Sequence, residues 1–470
     1  MNFVTWAFVI LFIIVLACRV TIGRNKTGTP YTIALIAAST VFCAWHVPRY
    51  VFIMLTSIVI DYWVSIQLAR YPFGTPRRRW LLALSVMTNI GLLGFFKYTN
   101  FLTETFNVVA HRFGLPISLP QTNLILPMGI SFYTFCSMSY TIDVYRNKLK
   151  PVKSFSRLYL FLTYFPHLVA GPIVRAENFL YQIDRTRSVS LRVFTEGGFQ
   201  IVKGLFLKLV CADNLATVVS ANWDDGYKPG ANGARLLTIA VFYSFQIFCD
   251  FEGYTSIARG LSYLLGYRLP LNFDNPYLAE SFSNFWQRWH ISLSRWLRDY
   301  LYLPLGGNKV SPARTYLNLM IVMVLGGLWH GANLTFLAWG TLHGLALVIE
   351  RFIGFRDGML RRGPIRFVWY LMVQVTVLIG WILFRSANIS GALMFIKNII
   401  TGWTFEFPHA QATYLLCLIP PVAMHVYGFA RERSLLPEAS IKAKAALAGV
   451  LLIATVSFYG VSDAFIYFQF

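Results

Sequence analysis

The ten residues VLGGLWHGAN, Val324 to Asn333, set a histidine behind two glycines and a tryptophan, at the end of a run as apolar as lipid. Candidate membrane spans lie on either side, near residues 316–329 and 334–349. If the first enters the bilayer near Tyr316, fourteen residues at roughly 1.5 Å each carry His330 about 20 Å in, past the middle of a core about 30 Å thick. An imidazole at that depth needs a partner or a water-filled cavity, and an ionisable side chain there marks a functional site by default. The flanking Gly326, Gly327 and Gly331 let another backbone or a ligand approach closely. His343 follows His330 at about 220° around a continuous helix, so the two do not share a face. Metal ligation by His330, His343 and an acid such as Asp250 would lack any H-E-x-x-H spacing, and no metal is expected.

Working outward, the composition agrees with a membrane setting. The 470 residues are 56% hydrophobic and 17% aromatic with only 13% charged, too little polar surface to cover a soluble domain of this size. Further candidate spans fall near 2–18, 31–46, 50–68, 81–96, 123–144, 236–249, 367–384, 413–428 and 445–461. Several are shorter than the roughly 20 residues a spanning helix needs, and residues 158–215 mix apolar stretches with Gly, Pro and charge. The expected fold is therefore all-α and polytopic, with about 9–13 transmembrane and re-entrant helices. The stretch FVTWAFVILFIIVLAC has no basic region before it and no A-x-A pattern after it, so it reads as a retained helix rather than a cleaved signal. No long polar block or linker interrupts the chain, and one membrane-embedded domain over residues 1–470 is the simplest organisation.

The formal net charge of +21 raises the question of nucleic acid, and the placement of the charge answers it. Arg19, Arg24 and Lys26 lie between the first two spans, and Arg70, Arg77, Arg78 and Arg79 between the third and fourth. Arg146, Lys148, Lys150, Lys153 and Arg157 follow the fifth, while the intervening loops are poor in charge. This alternation is the positive-inside pattern; it puts the N-terminus outside the cytoplasm and names membrane lipid, with no nucleic acid, as the partner. The cysteines Cys18, Cys43, Cys136, Cys211, Cys249 and Cys417 sit in or beside apolar segments without C-x-x-C spacing and read as small core residues.

In SFSNFWQRWHISLSRWLRDYLYLPLGGNK, Ser281 to Lys309, the residues Phe282, Trp286, Trp289, Leu293, Trp296 and Tyr300 recur at helical spacing. Arg288, Arg295 and Arg298 fall mainly on the other side, so the stretch reads as one helix lying at the membrane interface. Its aromatics would anchor at headgroup level, and its arginines would reach lipid phosphates or an anionic substrate. His290 stands beside the aromatic stripe as a titratable group that needs satisfying. The chain has no G-x-S-x-G elbow, Walker loop or Rossmann glycine pattern. A buried histidine without a serine partner suggests a general base acting on a hydroxyl that the substrate brings, which is the chemistry of acyl transfer to an alcohol. Buried histidines and broken helices would also suit a transporter or flippase, but such proteins often carry paired repeats, and RWH and WHG have no internal copies.

The blocks ILPMGISFYTF, YFPHLVAGPIVR, FCDFEGYTSIARG, FWQRWHISLSRWLRDYLYLPLGGN, GGLWHGANLTFLAWGTLHG and the terminal FIYFQF resemble, in this order, the membrane-bound O-acyltransferase (MBOAT) family. The similarity is closest to its bacterial branch of alginate and cellulose acetylation proteins, related to the teichoic acid D-alanyl transfer protein. It covers nearly the whole chain. The resemblance implies many helices around a central tunnel, with His330 at its centre and His290 toward its cytoplasmic side. It implies O-acetylation of an exopolysaccharide, with an acetyl or other short acyl group taken from a cytoplasmic donor at the bacterial inner membrane and finished by a periplasmic acetyl-handling partner. No cofactor is permanently bound; acetyl-CoA or another acyl donor is a substrate. His330 then takes the proton of the attacking hydroxyl, or carries the acyl group itself, and His290 orients the donor or stabilises charge. Trp289 and Trp329 are candidate walls of the substrate path, and Asn333, Arg175 and Asp250 are further candidates for substrate binding.

Overall fold

The computed structural model describes residues 3–21, 29–45, 47–122, 124, 126–127, 129–168, 171–184, 190–355, 363–404 and 413–460. The terminal FIYFQF and the basic residues Arg24 and Lys26 lie outside these. All the regular structure among the described residues is helical, with no strand, as the hydrocarbon setting demands: a span must satisfy its backbone within itself. Seven of these helical segments are long and apolar enough to cross a membrane, among them Tyr50–Arg70, Gly233–Leu264 and Pro364–Arg385. Trp6–Thr21, Pro30–Ala44 and Ile389–Thr401 are shorter apolar helices. Contacts gather the chain into two compact units, residues 1–198 with 258–270 and residues 199–257 with 271–470.

Eight helices open the first unit: α1 (Trp6–Thr21), α2 (Thr29–Ala44), α3 (Tyr50–Arg70), α4 (Pro76–Arg112), α5 (Ile130–Tyr145), α6 (Phe155–Thr163), α7 (Phe165–Leu168) and α8 (Ala176–Asp184). The mixed composition after residue 150 gives the short pieces α6 to α8, and the span expected from residue 123 begins only at Ile130, after Gly129 at φ 73°. Buried polar groups lock α3, α4 and α5 together. Asp61 accepts hydrogen bonds from Ser85 (2.5 Å) and Asn89 (2.8 Å) of α4 and from Ser137 of α5. In an apolar surrounding such a group must find partners, and here neutral donors supply them.

Then come α9 (Leu191–Phe206), a π turn (Leu207–Ala212), α10 (Asp213–Asn222) and α11 (Gly233–Leu264). The second unit continues with α12 (Phe282–Arg288), α13 (Ile291–Leu297), a second π turn (Arg298–Tyr302), α14 (Pro312–His330), α15 (Leu334–Phe352), α16 (Gly363–Arg385) and α17 (Ile389–Thr401). Two helices, Ile419–Glu432 and Ile441–Phe458, close the described chain. The hairpin of α14 and α15 is the most extensive packing in this unit and positions the site.

Candidate active site

The hairpin follows from its ends. Ser311 caps α14 and Pro312 occupies its first position, where a missing N–H does no harm. The helix stops at His330 because Gly331 is extended (φ −168°, ψ 157°). Asn333 then caps α15, its side-chain oxygen accepting from the Thr335 N–H at 3.0 Å. The returning helix lies against the first at the closest approach backbones allow. A Cβ on Gly327 would overlap the Phe336 carbonyl oxygen, and one on Gly340 would overlap that of Met323. The chain is therefore not continuous helix from His330 to His343, as the 220° estimate assumed; the turn at Gly331 brings both histidines to Trp339. Its ring lies 5.0 Å from that of His330 and 4.9 Å from that of His343.

His330 is buried, with Trp329 at 5.0 Å and Phe384 at 5.3 Å completing an aromatic surround. It nevertheless borders space, since it lines a cavity of about 570 Å³ together with Trp339, Trp286 and Gly326. The lining of α14 runs from Leu319 to His330, eleven residues or roughly 16 Å along the axis. The walls also carry polar and cationic groups, among them Arg295, Arg298, Arg351, Tyr302 and Asn308. Arg351 donates to the Asn308 side-chain oxygen at 2.9 Å, and Arg298 pairs with Asp299 at 2.6 Å. Such a room can take an elongated ligand with an anionic end at the arginines and its reacting group at the imidazole.

His290 stands in a break. The single interfacial helix expected over Ser281–Lys309 is instead α12, a left-handed residue at His290 (φ 41°), α13 and a π turn. Phe282, Trp289, Leu293, Trp296 and Tyr300 are accordingly buried in protein and do not form an exposed anchoring stripe. Trp289 stacks among Phe285, Phe273 and Trp381, the last at 4.7 Å. Asn272 holds the break: its carbonyl accepts from the Ile291 N–H (2.9 Å), and its side-chain oxygen meets Ser292 N (3.2 Å) and His290 Nδ1 (3.1 Å). The left-handed backbone costs roughly 1–2 kcal/mol, which bonds worth about 1 kcal/mol each offset. Glu350 of α15 secures the start of α12, accepting from the N–H groups of Phe282 (2.5 Å) and Ser283 (3.0 Å). His290 is fully enclosed, and burial pushes its imidazole down to about 3, which keeps it neutral. Trp329 lies between the two histidines, its ring 6.2 Å from His290 and 5.0 Å from His330.

The remaining expected residues fall elsewhere. Asn333 uses its amide as the α15 cap and donates to the Ala387 carbonyl at 2.9 Å. Asp250 binds Lys208 at 3.0 Å in a buried cluster that includes Asp213, 2.7 Å from the same ammonium. Arg175 belongs to the first unit, 3.9 Å from Glu177. Arg288 pairs with Glu432 at 2.5 Å. No group of His, Cys, Asp or Glu suited to a metal occurs among the described residues. Asn272, Trp339 and Glu350 escaped the sequence reading, and Trp286 entered it only as a membrane anchor. Of these Trp339 carried a signal, lying between WHG and His343 in LAWGTLHG.

The sequence matches the model of the MBOAT, membrane-bound O-acyltransferase family over residues 149–361, a segment containing both His290 and His330. It is 40% identical over 357 residues to Probable alginate O-acetylase AlgI of Pseudomonas putida, covering 76% of this chain and 72% of that one. Against Probable alginate O-acetylase AlgI of Azotobacter vinelandii it is 37% identical over 400 residues, covering 84% and 79%. Against Peptidoglycan O-acetyltransferase of Helicobacter pylori it is 34% identical over 392 residues, covering 78% and 73%. A histidine bordering a cavity, in a chain with seven membrane-length helices, thus has its place: the chain belongs to the membrane-bound O-acyltransferase family and is a multi-pass membrane acyltransferase.

Proposed function

We propose that this chain moves an acetyl group from a cytoplasmic thioester, acetyl-CoA or another acyl donor, for O-acetylation of a secreted polysaccharide such as alginate. The observation that carries the reading is the cavity lined by His330, at the hairpin turn, and by Arg295, Arg298 and Arg351. The alginate and peptidoglycan acetylases among its relatives support a glycan acceptor.

In the proposed step neutral His330 accepts the proton of a hydroxyl as its oxygen attacks the thioester carbonyl. The C–O bond forms, the C–S bond breaks, and the departing thiolate takes the proton back from the imidazolium. Arg295, Arg298 and Arg351 hold the anionic end of the donor, and His290 orients its arm. The chain sits in the bacterial inner membrane with its N-terminus in the periplasm. A hydrophilic polymer gains little by entering a room walled with Trp and Leu, so a periplasmic acetyl-handling partner delivers the group to the polymer.

The test is reconstitution with a radiolabelled acyl donor and purified polymer. Label should leave the donor with this chain alone when a small hydroxyl acceptor is present, and reach polymer only with the partner. Efficient polymer acetylation by the isolated chain overturns the partner. In an otherwise Cys-free chain, a cysteine near Arg78 should resist an impermeant thiol reagent in intact cells and one near Thr122 should react; the opposite pattern reverses the orientation.

A further inference from the structure

We infer that Trp339 and Gly326 set the length of the acyl group: together they form its seat beside His330, and the indole closes the cavity behind it. The inference rests on acyl transfer taking place at His330.

The lining of the cavity runs from Gln287, Arg295, Arg298 and Asn308, which are exposed, to Gly326, His330 and Trp339, which are buried. A base that takes the proton of an attacking hydroxyl holds the thioester carbon within a few ångströms of its ring, so the rest of the acyl group lies against the lining beside the imidazole. Gly326 stands four residues before His330 on α14, one turn away on the same face. The two neighbouring glycines thus have separate tasks: Gly327 meets the backbone of α15, while Gly326 leaves bare backbone on the cavity side. A Cβ on Gly326 would stand 3.4 Å from a Leu297 methyl carbon, already in contact, so even one added carbon takes up space beside the imidazole.

Trp339 supplies the end wall. Its ring lies 5.0 Å from that of His330 and nearly perpendicular to it, at 83°. The rings of His343 (4.9 Å), Phe384 (5.7 Å) and Trp381 (6.5 Å) pack around the indole, and none of these three borders the cavity. Gly380 of α16 also comes up to it, so close that a Cβ there would stand 3.5 Å from Nε1. The backbone next to Trp339 is pinned as well, where Gly340 touches Met323. A held ring with packed side chains behind it leaves a long chain nowhere to go. In an open tunnel each further CH2 of the acyl group would strengthen binding about fourfold, whereas against a closed wall it weakens binding.

The experiment uses the full chain in lipid nanodiscs. Acetyl-, butyryl- and hexanoyl-CoA are the donors for transfer to a small hydroxyl acceptor, and their unreactive ketone analogues, in which CH2 replaces the thioester sulfur, are the probes for binding by calorimetry. In the parent, affinity and kcat/KM should both fall from acetyl to hexanoyl by about tenfold or more. Trp339→Leu should raise the hexanoyl-to-acetyl ratio about tenfold or more. Gly326→Ala, which leaves the backbone contacts of the hairpin intact, should lower the butyryl-to-acetyl ratio about tenfold. A parent that binds hexanoyl as tightly as acetyl overturns the inference, as do parental ratios in both variants. Binding in the expected order of chain length without transfer from any thioester supports the seat and overturns the transfer reading.

Discussion

Two of the chain's three Trp-His pairs, Trp289-His290 and Trp329-His330, lie in the second unit, which treats them in opposite ways. His330 ends a nineteen-residue helix at a glycine and borders the cavity. His290 interrupts a helical stretch with no glycine or proline at the break, and it is enclosed on all sides. The first is placed by backbone contact: Gly327 and Gly340 let α14 and α15 touch, and the imidazole goes where the hairpin ends. The second is placed by polar bonds from Asn272, without which a left-handed histidine would relax. The same dipeptide thus borders the cavity at one place and is closed off in the protein at the other.

Replacing each histidine tests that contrast most directly. His330→Ala should lower acyl transfer by about 100-fold or more while the protein still inserts and accumulates, as for loss of a general base. Wild-type acetylation by a well-expressed variant would end its claim to the chemistry. His290→Ala should cost less, about tenfold, and leave measurable turnover in the same radiolabel assay, since it removes a support and not the base. Equal losses would erase the difference between the two. The smallest effects belong to the glycines and are read by thermal unfolding in detergent. Gly327→Ala must part the two backbones and should destabilise by about 1–3 kcal/mol. Gly326→Ala, whose new Cβ would sit 3.4 Å from a Leu297 methyl carbon, should melt like the parent. Identical melting of the two variants would mean that the hairpin contact is not what places His330.

The all-helical membrane class and His330 were legible because both are written in consecutive residues: apolar runs, and a histidine at the end of one. The break at His290 was not, because the partner that stabilises it comes from Asn272, eighteen residues away and outside the periodic segment. Helical spacing from Phe282 to Tyr300 survives a one-residue interruption well enough to conceal it. Asn333 could have been read better, as an Asn directly before an apolar run is a capping signal, and capping is where its amide goes. Asp250 has no basic neighbour in its stretch FCDFEGYTS, yet it pairs with Lys208 of the first π turn, which precedes α10 and the loop before α11. The cationic walls of the cavity combine α13, the π turn and the end of α15, which no local window joins.

The glycine contacts of α14 and α15 also bear on turnover. In the proposed cycle a bulky donor must enter the cavity and a thiol must leave it. Two helices whose backbones touch at Gly327 and Gly340 cannot slide without losing those contacts, and the Glu350 cap ties the start of α12 to the same scaffold. Facing that tied hairpin across the cavity are the seven residues of α13 and the π turn that follows them. His330 thus belongs to the wall held by backbone contact, and Arg295 and Arg298 to the wall that is not, so in the proposed cycle a change of width at the cavity would move the arginines relative to the imidazole.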